Sequence, residues 1–174
     1  MSAQEIQIRR ATPLDNELLA RLAAETFPGN FVGTTEPSAM VSYIERSFNP
    51  EQQAKEITEP GSVFFIAQAG ANPVGYARVR DQHAPSGVDA PTVEIHRLYV
   101  VRDHWGKGAG RALVNACINE AAARGCATIW LGAWSENPRA VGFYGSLGFE
   151  AVGTQKFKLG EELHDDLILR LKLR

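Results

Sequence analysis

Between Val93 and Arg111 the chain passes from a strand-like run, Val93-Glu94-Ile95-His96-Arg97-Leu98-Tyr99-Val100, into a glycine-rich turn, Trp105-Gly106-Lys107-Gly108-Ala109-Gly110-Arg111. An alanine-rich helical stretch comes next. The backbone N–H groups of such a turn and the N-terminus of the next helix converge on one place and favour negative charge there. Glycines let a ligand approach the backbone closely. The chemistry indicated is the holding of a phosphorylated ligand. A P-loop needs Ser or Thr after its Gly-Lys, but Gly106-Lys107 is succeeded by Gly108. A dinucleotide turn needs a third glycine where Arg111 stands, and an acidic residue further on where the region around Trp130 is apolar. Both alternatives fail on spacing.

A second run lies downstream: Asn137-Pro138-Arg139-Ala140-Val141-Gly142-Phe143-Tyr144-Gly145-Ser146-Leu147-Gly148-Phe149. Together the two runs resemble the Gcn5-related N-acetyltransferase (GNAT) superfamily. Its central pattern is Arg/Gln-x-x-Gly-x-Gly/Ala, and its later one is Asn-x-x-Ala-x-x-Phe-Tyr-x-x-x-Gly-Phe. The later pattern matches at every position; the central one matches at its glycines, with Trp105 in place of the leading Arg or Gln. The resemblance covers roughly residues 92–153. A narrower similarity to PaiA-type polyamine N-acetyltransferases runs through His96-Arg97-Leu98-Tyr99-Val100, Ile129-Trp130-Leu131-Gly132 and Ser47-Phe48-Asn49-Pro50-Glu51-Gln52.

The resemblance implies an α/β fold: a mixed central sheet of about seven strands, splayed between its fourth and fifth strands and flanked by helices. It implies acetyl-CoA as cosubstrate, no metal, and direct transfer to a primary amine, with spermidine or spermine as candidate acceptors. The alternatives are a protein N-terminus, an amino acid or an antibiotic, and, in another class, a non-catalytic acyl-CoA sensor. The cofactor residues it implies are Leu98, Tyr99 and Val100 on the strand, Trp105, Gly106, Lys107, Gly108, Ala109, Gly110 and Arg111 in the turn, and Asn137 and Tyr144. Lys107 and Arg111 are equally readable as solvated surface cations, and Asn137 before Pro138 as a helix N-cap. Tyr144 matches the family's general acid, a phenol that meets the thiolate as it leaves; otherwise it is a core tyrosine. An alkyl ammonium is neutral only about once in a few thousand at pH 7, so a base is required. Glu94 is the candidate, with His96 two residues on and on the same side; each is otherwise a solvent-facing polar strand residue. Glu36, Glu45 and Glu51 are candidates for attracting a cationic acceptor.

These residues need elements to position them. Ile6 and Ile8 mark a first strand; Thr12-Pro13 starts a helix with Leu14, Leu18, Leu19, Leu22 and Ala23 as its stripe, ended by Pro28-Gly29-Asn30. Met40, Tyr43 and Ile44 suggest one short helix, and Asn49-Pro50 caps another; together they suit one wall of a substrate cleft. Strands are expected at 62–68 and 74–80, then a loop at 81–91, a strand at 92–101, a helix at 108–124, a strand at 127–133, a helix at 137–147, and strands at 149–154 and 165–173. The expectation is a single domain over residues 1–174 of order β-α-α-α-β-β-β-α-β-α-β-β.

Composition sets the outer bounds. The 174 residues are 44% hydrophobic and 22% charged with a net charge of −2, which favours neither nucleic acid nor a membrane surface. Cys117 and Cys126 lack metal or disulfide spacing and read as reduced thiols. The polar N-terminus is unlike a signal peptide, and no apolar run is long enough to span a membrane. The location expected is the cytoplasm, with a homodimer as an alternative by analogy with the fold.

Overall fold

The computed structural model describes residues 4–31 and 35–174. A seven-stranded sheet organises them in the order β1-β2-β3-β4-β5-β7-β6. Its strands are β1 (Ile6–Arg10), β2 (Val63–Ala69), β3 (Asn72–Arg80), β4 (Thr92–Val100), β5 (Thr128–Trp134), β6 (Glu150–Leu159) and β7 (Glu162–Lys172). Its helices are α1 (Asn16–Thr26), α2 (Pro37–Ser47), α3 (Pro50–Thr58), α4 (Ala109–Ala123) and α5 (Pro138–Ser146). The element order and the mixed sheet are those expected. None of the described helices is long and apolar enough to cross a membrane.

Side-chain alternation sorts the core into two layers. On β2, Phe65, Ala67 and Ala69 turn to the side of α4, while Phe64 and Ile66 turn to the side of α1. On α4, the residues Ala109, Leu113, Cys117 and Ala121 recur every fourth position and are fully buried. Three of the four are small, which lets the helix sit close against the sheet. On α1, Leu19, Leu22 and Ala23 form the matching stripe beneath the opposite face.

Two boundaries differ from the sequence reading. Pro13–Asp15 forms a single 3-10 turn before α1 begins, because the Asp15 carboxylate accepts from Thr12 N–H at 2.8 Å and ties the chain entry. The final hairpin is longer than expected, extending both strands through residues 155–164. Lysines and acids on its outer side, including the Lys156–Asp165 pair, mask an inner side formed by Phe157 and the fully buried Leu159.

β4 and β5 run parallel but pair only at Thr92↔Thr128, Val93↔Ile129 and Glu94↔Trp130. Beyond that point β5 tracks β7 in unbroken register from Thr128↔Lys172 to Trp134↔Asp166. β4 instead stays with β3, and its register skips His96: Ile95 pairs with Val79, and Arg97 with Arg78. An extra residue of this kind bends and twists the strand that carries it. The sheet therefore opens as a V with Glu94 at its vertex, which is the expected splay between the fourth and fifth strands.

Candidate active site

The open V leaves one edge of β4 without a neighbour. Val101 N–H donates to Val74 O at 2.8 Å, so by antiparallel alternation Leu98 and Val100 turn their backbone groups away from β3, toward the opening. Buried backbone groups need partners. The Val100 carbonyl has one already, the Trp105 indole Nε1–H at 2.8 Å; the rest of this edge is a ready ladder for an extended amide-bearing arm.

Beside that edge lies a cleft of about 380 Å³, lined by Leu98, Tyr99, Val100, the turn and the first turns of α4 and α5. Gly106 and Gly108 adopt φ of +73° and +95°, where a side chain would be strained, and the space beside each is open. Gly110 serves packing instead: a Cβ there would lie 3.0 Å from Phe143 Cζ, so its absence lets α5 close onto α4. The N–H groups opening α4 have no intrahelical acceptor, and Gly108, Gly110 and Arg111 of that first turn line this cleft. An extended thioester arm ending in a diphosphate thus fits the residues present. Among the expected residues, Trp105, Gly106, Gly108, Gly110, Arg111 and Tyr144 line the cleft with the strand residues, whereas Lys107 is exposed and Ala109 is buried beneath.

A second cleft, of about 210 Å³, fills the V itself. Its floor carries two carboxylates. Glu94, 6% exposed, accepts from Arg80 Nε at 2.8 Å. Asp166, which the sequence reading did not single out, stands on β7 and lines the same cleft. Burial pushes its carboxyl up to about 6, with Asp165 and Glu94 adding to the effect, while His164 and a hydrogen bond from Gln155 oppose it. Gly132 on β5 makes this arrangement feasible: a Cβ there would lie 2.5 Å from Gln155 Nε2 and 3.0 Å from Asp166 Oδ2. His96 also lines the cleft, but its Nδ1 sits 3.1 Å from Arg78 Nη1 and accepts from it. Burial, then the charges of Arg97, Arg80 and Arg78, hold the imidazole well below its ordinary range, so it is neutral.

The walls are aromatic. Phe27 stacks on Tyr43 at 4.8 Å, Phe31 meets Trp134 at 5.2 Å, and Phe31 stacks on Phe157 at 5.8 Å. Of the two short helices expected to form one wall, α2 contributes Tyr43 and α3 contributes no lining residue; Phe27, Asn30 and Phe31 come from the segment that follows α1. The acidic residues expected there do not contribute: Glu36, Glu45 and Glu51 are outside the lining, and Glu51 pairs with Lys55 on the surface of α3. These carboxylates lie on the solvent sides of their helices. No signal for Asp166 was available in the sequence, because it stands in the charged run His164-Asp165-Asp166 at the start of a strand otherwise marked by its leucines.

The two clefts share Asn30, Leu98, Tyr99, Ala140 and Tyr144. Tyr144 stands at this junction, 8% exposed, its hydroxyl without a hydrogen-bond partner among the described residues. Burial raises its pKa well above that of a free phenol, so it keeps its proton. A glycine stop fixes its height: Gly148 has φ +96°, and Phe149 N–H closes onto the Tyr144 carbonyl at 3.1 Å. Asn137 is the N-cap of α5, its Oδ1 accepting from Ala140 N–H at 3.2 Å while Nδ2 donates to Asn30 Oδ1 at 3.3 Å. It lines the cleft within the V rather than the one beside the turn. Beneath the floor, Glu56 of α3 takes both Arg97 amino groups at 2.5 and 3.0 Å, and Arg78 bonds Glu59 at 2.5 Å.

Comparison with known proteins agrees with this geometry. Residues 19–149 match the Acetyltransferase (GNAT) family. An uncharacterized N-acetyltransferase of Mycobacterium tuberculosis H37Rv is 30% identical over 155 residues, covering 89% of this chain and 96% of that one. Another, from Lactobacillus delbrueckii subsp. lactis, is 26% identical over 169 residues, 97% and 98% of the two chains. Among solved structures, the PaiA N-acetyltransferase of Thermoplasma acidophilum in complex with coenzyme A superposes with a TM-score of 0.79 at 21% identity, over 97% of this chain and 99% of that one. The ribosomal-protein-S18-alanine N-acetyltransferase of Escherichia coli gives 0.66 at 18% identity, over 97% and 94%. Both structural likenesses concern the fold. With the family match over most of its length, and a relative 30% identical over 89% of it, the chain belongs to the GNAT family and is an acetyl-CoA-dependent N-acetyltransferase.

Proposed function

We propose that the acceptor is a small primary amine carrying one positive charge on an apolar body, acetylated where the two clefts meet. The observation that carries this reading is the charge balance of the cleft within the V. Arg80 is matched by Glu94 and Arg97 by Glu56, which leaves Asp166, with Gln155 as its hydrogen-bond donor and His164 nearby, as the one lining carboxylate without an arginine or lysine ion pair among the described residues. A polyamine would bring several ammonium groups toward two arginines and one free carboxylate. The aromatic walls suit an alkyl or aryl stem instead. Tyr43 of α2 meets Phe157 of β6 at 5.9 Å, and Gly160 lies against Ala39. These contacts bridge the two walls and suit a small acceptor better than an extended peptide.

Acetyl-CoA supplies an activated acetyl thioester. Asp166 and Glu94 receive the ammonium, and Asp166, whose pKa burial raises to about 6, takes its proton. Arg80 fixes the Glu94 carboxylate at the vertex. Tyr144 presents its O–H to the sulfur as negative charge develops there. With its pKa raised, it acts as a hydrogen-bond donor that stabilises the leaving group. His96 has its Nδ1 lone pair engaged by Arg78 and serves as a neutral spacer.

The test is Tyr144→Phe, assayed by CoA thiol release beside calorimetric CoA binding. Removal of the hydroxyl is expected to lower kcat by roughly 100-fold, as loss of a positioned acid does, with the Kd for CoA within about twofold. An unchanged kcat removes Tyr144 from the chemistry.

A further inference from the structure

Trp105 occupies the place where the family pattern has Arg or Gln, and its surroundings account for the exchange. The indole is locked by its Nε1–H bond to the Val100 carbonyl. Over its face lies the Arg139 guanidinium, 3.5 Å from the ring centroid, with Arg102 at 5.6 Å. Contact at 3.5 Å is well inside the range of about 6 Å over which a ring face attracts a cation. Arg139 belongs to the first turn of α5, directly after Pro138. A cation there opposes the positive end of the helix dipole. Arg102 repels it as well, and among the described residues no carboxylate pairs with it. Burial, opposed by Tyr144 and helped by Arg102, pulls its pKa below the usual arginine value. The helix dipole and Arg102 thus disfavour an exposed cation that the indole holds in place, at the rim of the cleft that Gly106, Gly108 and Arg111 also line. Such a group is poised for an anion.

We infer that Arg139, stacked on Trp105, supplies from α5 the guanidinium that position 105 lacks, and that it binds the diphosphate of acetyl-CoA. The strand-to-helix turn keeps its backbone donors, while the side-chain charge arrives from a different element. The exchange links cofactor binding to α5, the helix that carries Tyr144. A planar guanidinium also suits two phosphate oxygens at once.

The inference rests on placing the cosubstrate in the glycine-turn cleft, and calorimetric titration separates the two. Three ligands are used: CoA, dephospho-CoA without the 3′-phosphate, and pantetheine without any phosphate. Arg139→Ala is expected to weaken CoA and dephospho-CoA alike by about tenfold or more, the worth of a charged hydrogen bond, and to leave pantetheine unchanged. Trp105→Ala is expected to reproduce much of the loss by freeing the guanidinium. Adding Trp105→Arg to Arg139→Ala is expected to recover affinity for both phosphorylated ligands. A loss confined to CoA assigns Arg139 to the 3′-phosphate and overturns the inference. An equal loss for pantetheine also overturns it, by showing a structural role. Arg111→Glu is the control for the cleft itself: if it weakens CoA while Arg139→Ala does not, only the Arg139 assignment falls. If neither variant affects CoA, the placement of the cosubstrate falls with it.

Discussion

Asp166 shows how position can matter more than residue type. It is one of three acidic or ionisable residues in the run His164-Asp165-Asp166, and only the register Trp134↔Asp166 brings it to the V. Its ordinary pKa is raised to about 6, so activity limited by this base should rise with pH through about 6. Asp166→Asn should flatten that limb of the profile and lower kcat/KM for the amine by roughly 100-fold. Glu94→Gln should lower activity while leaving the limb near 6 visible; loss of the limb in Glu94→Gln alone would reverse the assignment. Linkage sets the sign for stability. A carboxyl whose folded pKa exceeds its unfolded value binds more protons when folded, so stability falls as pH rises from about 4 through about 6. Partial solvent access discounts the size of this effect. Asp166→Asn is therefore expected to raise Tm at pH 7 by about 2–4 °C, corresponding to ~1 kcal/mol, while it lowers activity.

At the scale of elements, the splay depends on which neighbour each strand keeps. The order of elements and the helix over α4 were legible in the sequence, because Ala109, Leu113, Cys117 and Ala121 keep a helical period and Asn49 and Asn137 cap α3 and α5. The bulge at His96 was not legible. Nothing in Val93–Val100 marks one residue as unpaired, since every residue there suits a strand. The buried Glu56–Arg97 pair was equally hidden, because a charged residue on a short helix reads as solvated surface until α3 is seen against β4. This pair and Arg78 clamp the bulged strand from below. Burial pushes Glu56 up, but hydrogen bonding and charge from Arg97, then Arg78, lower it overall. Its contribution to stability is therefore complete above its unfolded pKa of about 4.3 and is lost as pH falls through the lower folded value. Glu56→Gln leaves two buried arginines short of a partner and is expected to cost about 3–5 kcal/mol. Chemical denaturation at pH 7 checks the loss, and scans at lower pH should show the variant closing on wild type.

Over the whole molecule, the site lies between two halves of one sheet. β1 to β4 with α4 carry the turn and the open strand edge; β5 to β7 with α5 carry Asp166, Tyr144 and Arg139. The glycine turn and α5 were readable because short, contiguous patterns encode them: a turn needs its glycines in order, and a capped helix needs its stop at Gly148. The acceptor side draws Phe27, Tyr43, Glu94, Trp134, Phe157 and Asp166 from six separate elements or connections, and no local pattern links them. That side also holds the claim most specific to this protein. Its direct test is the initial rate of CoA release at pH 8 with a saturating acetyl-CoA supply and a panel of acceptors: hexylamine, phenethylamine, spermidine and a peptide with a free N-terminus. The charge balance and aromatic walls predict the highest kcat/KM for the two monoamines, by about tenfold or more over spermidine. Preference for spermidine or for the peptide, or tight CoA binding with no CoA release from any amine, would contradict it.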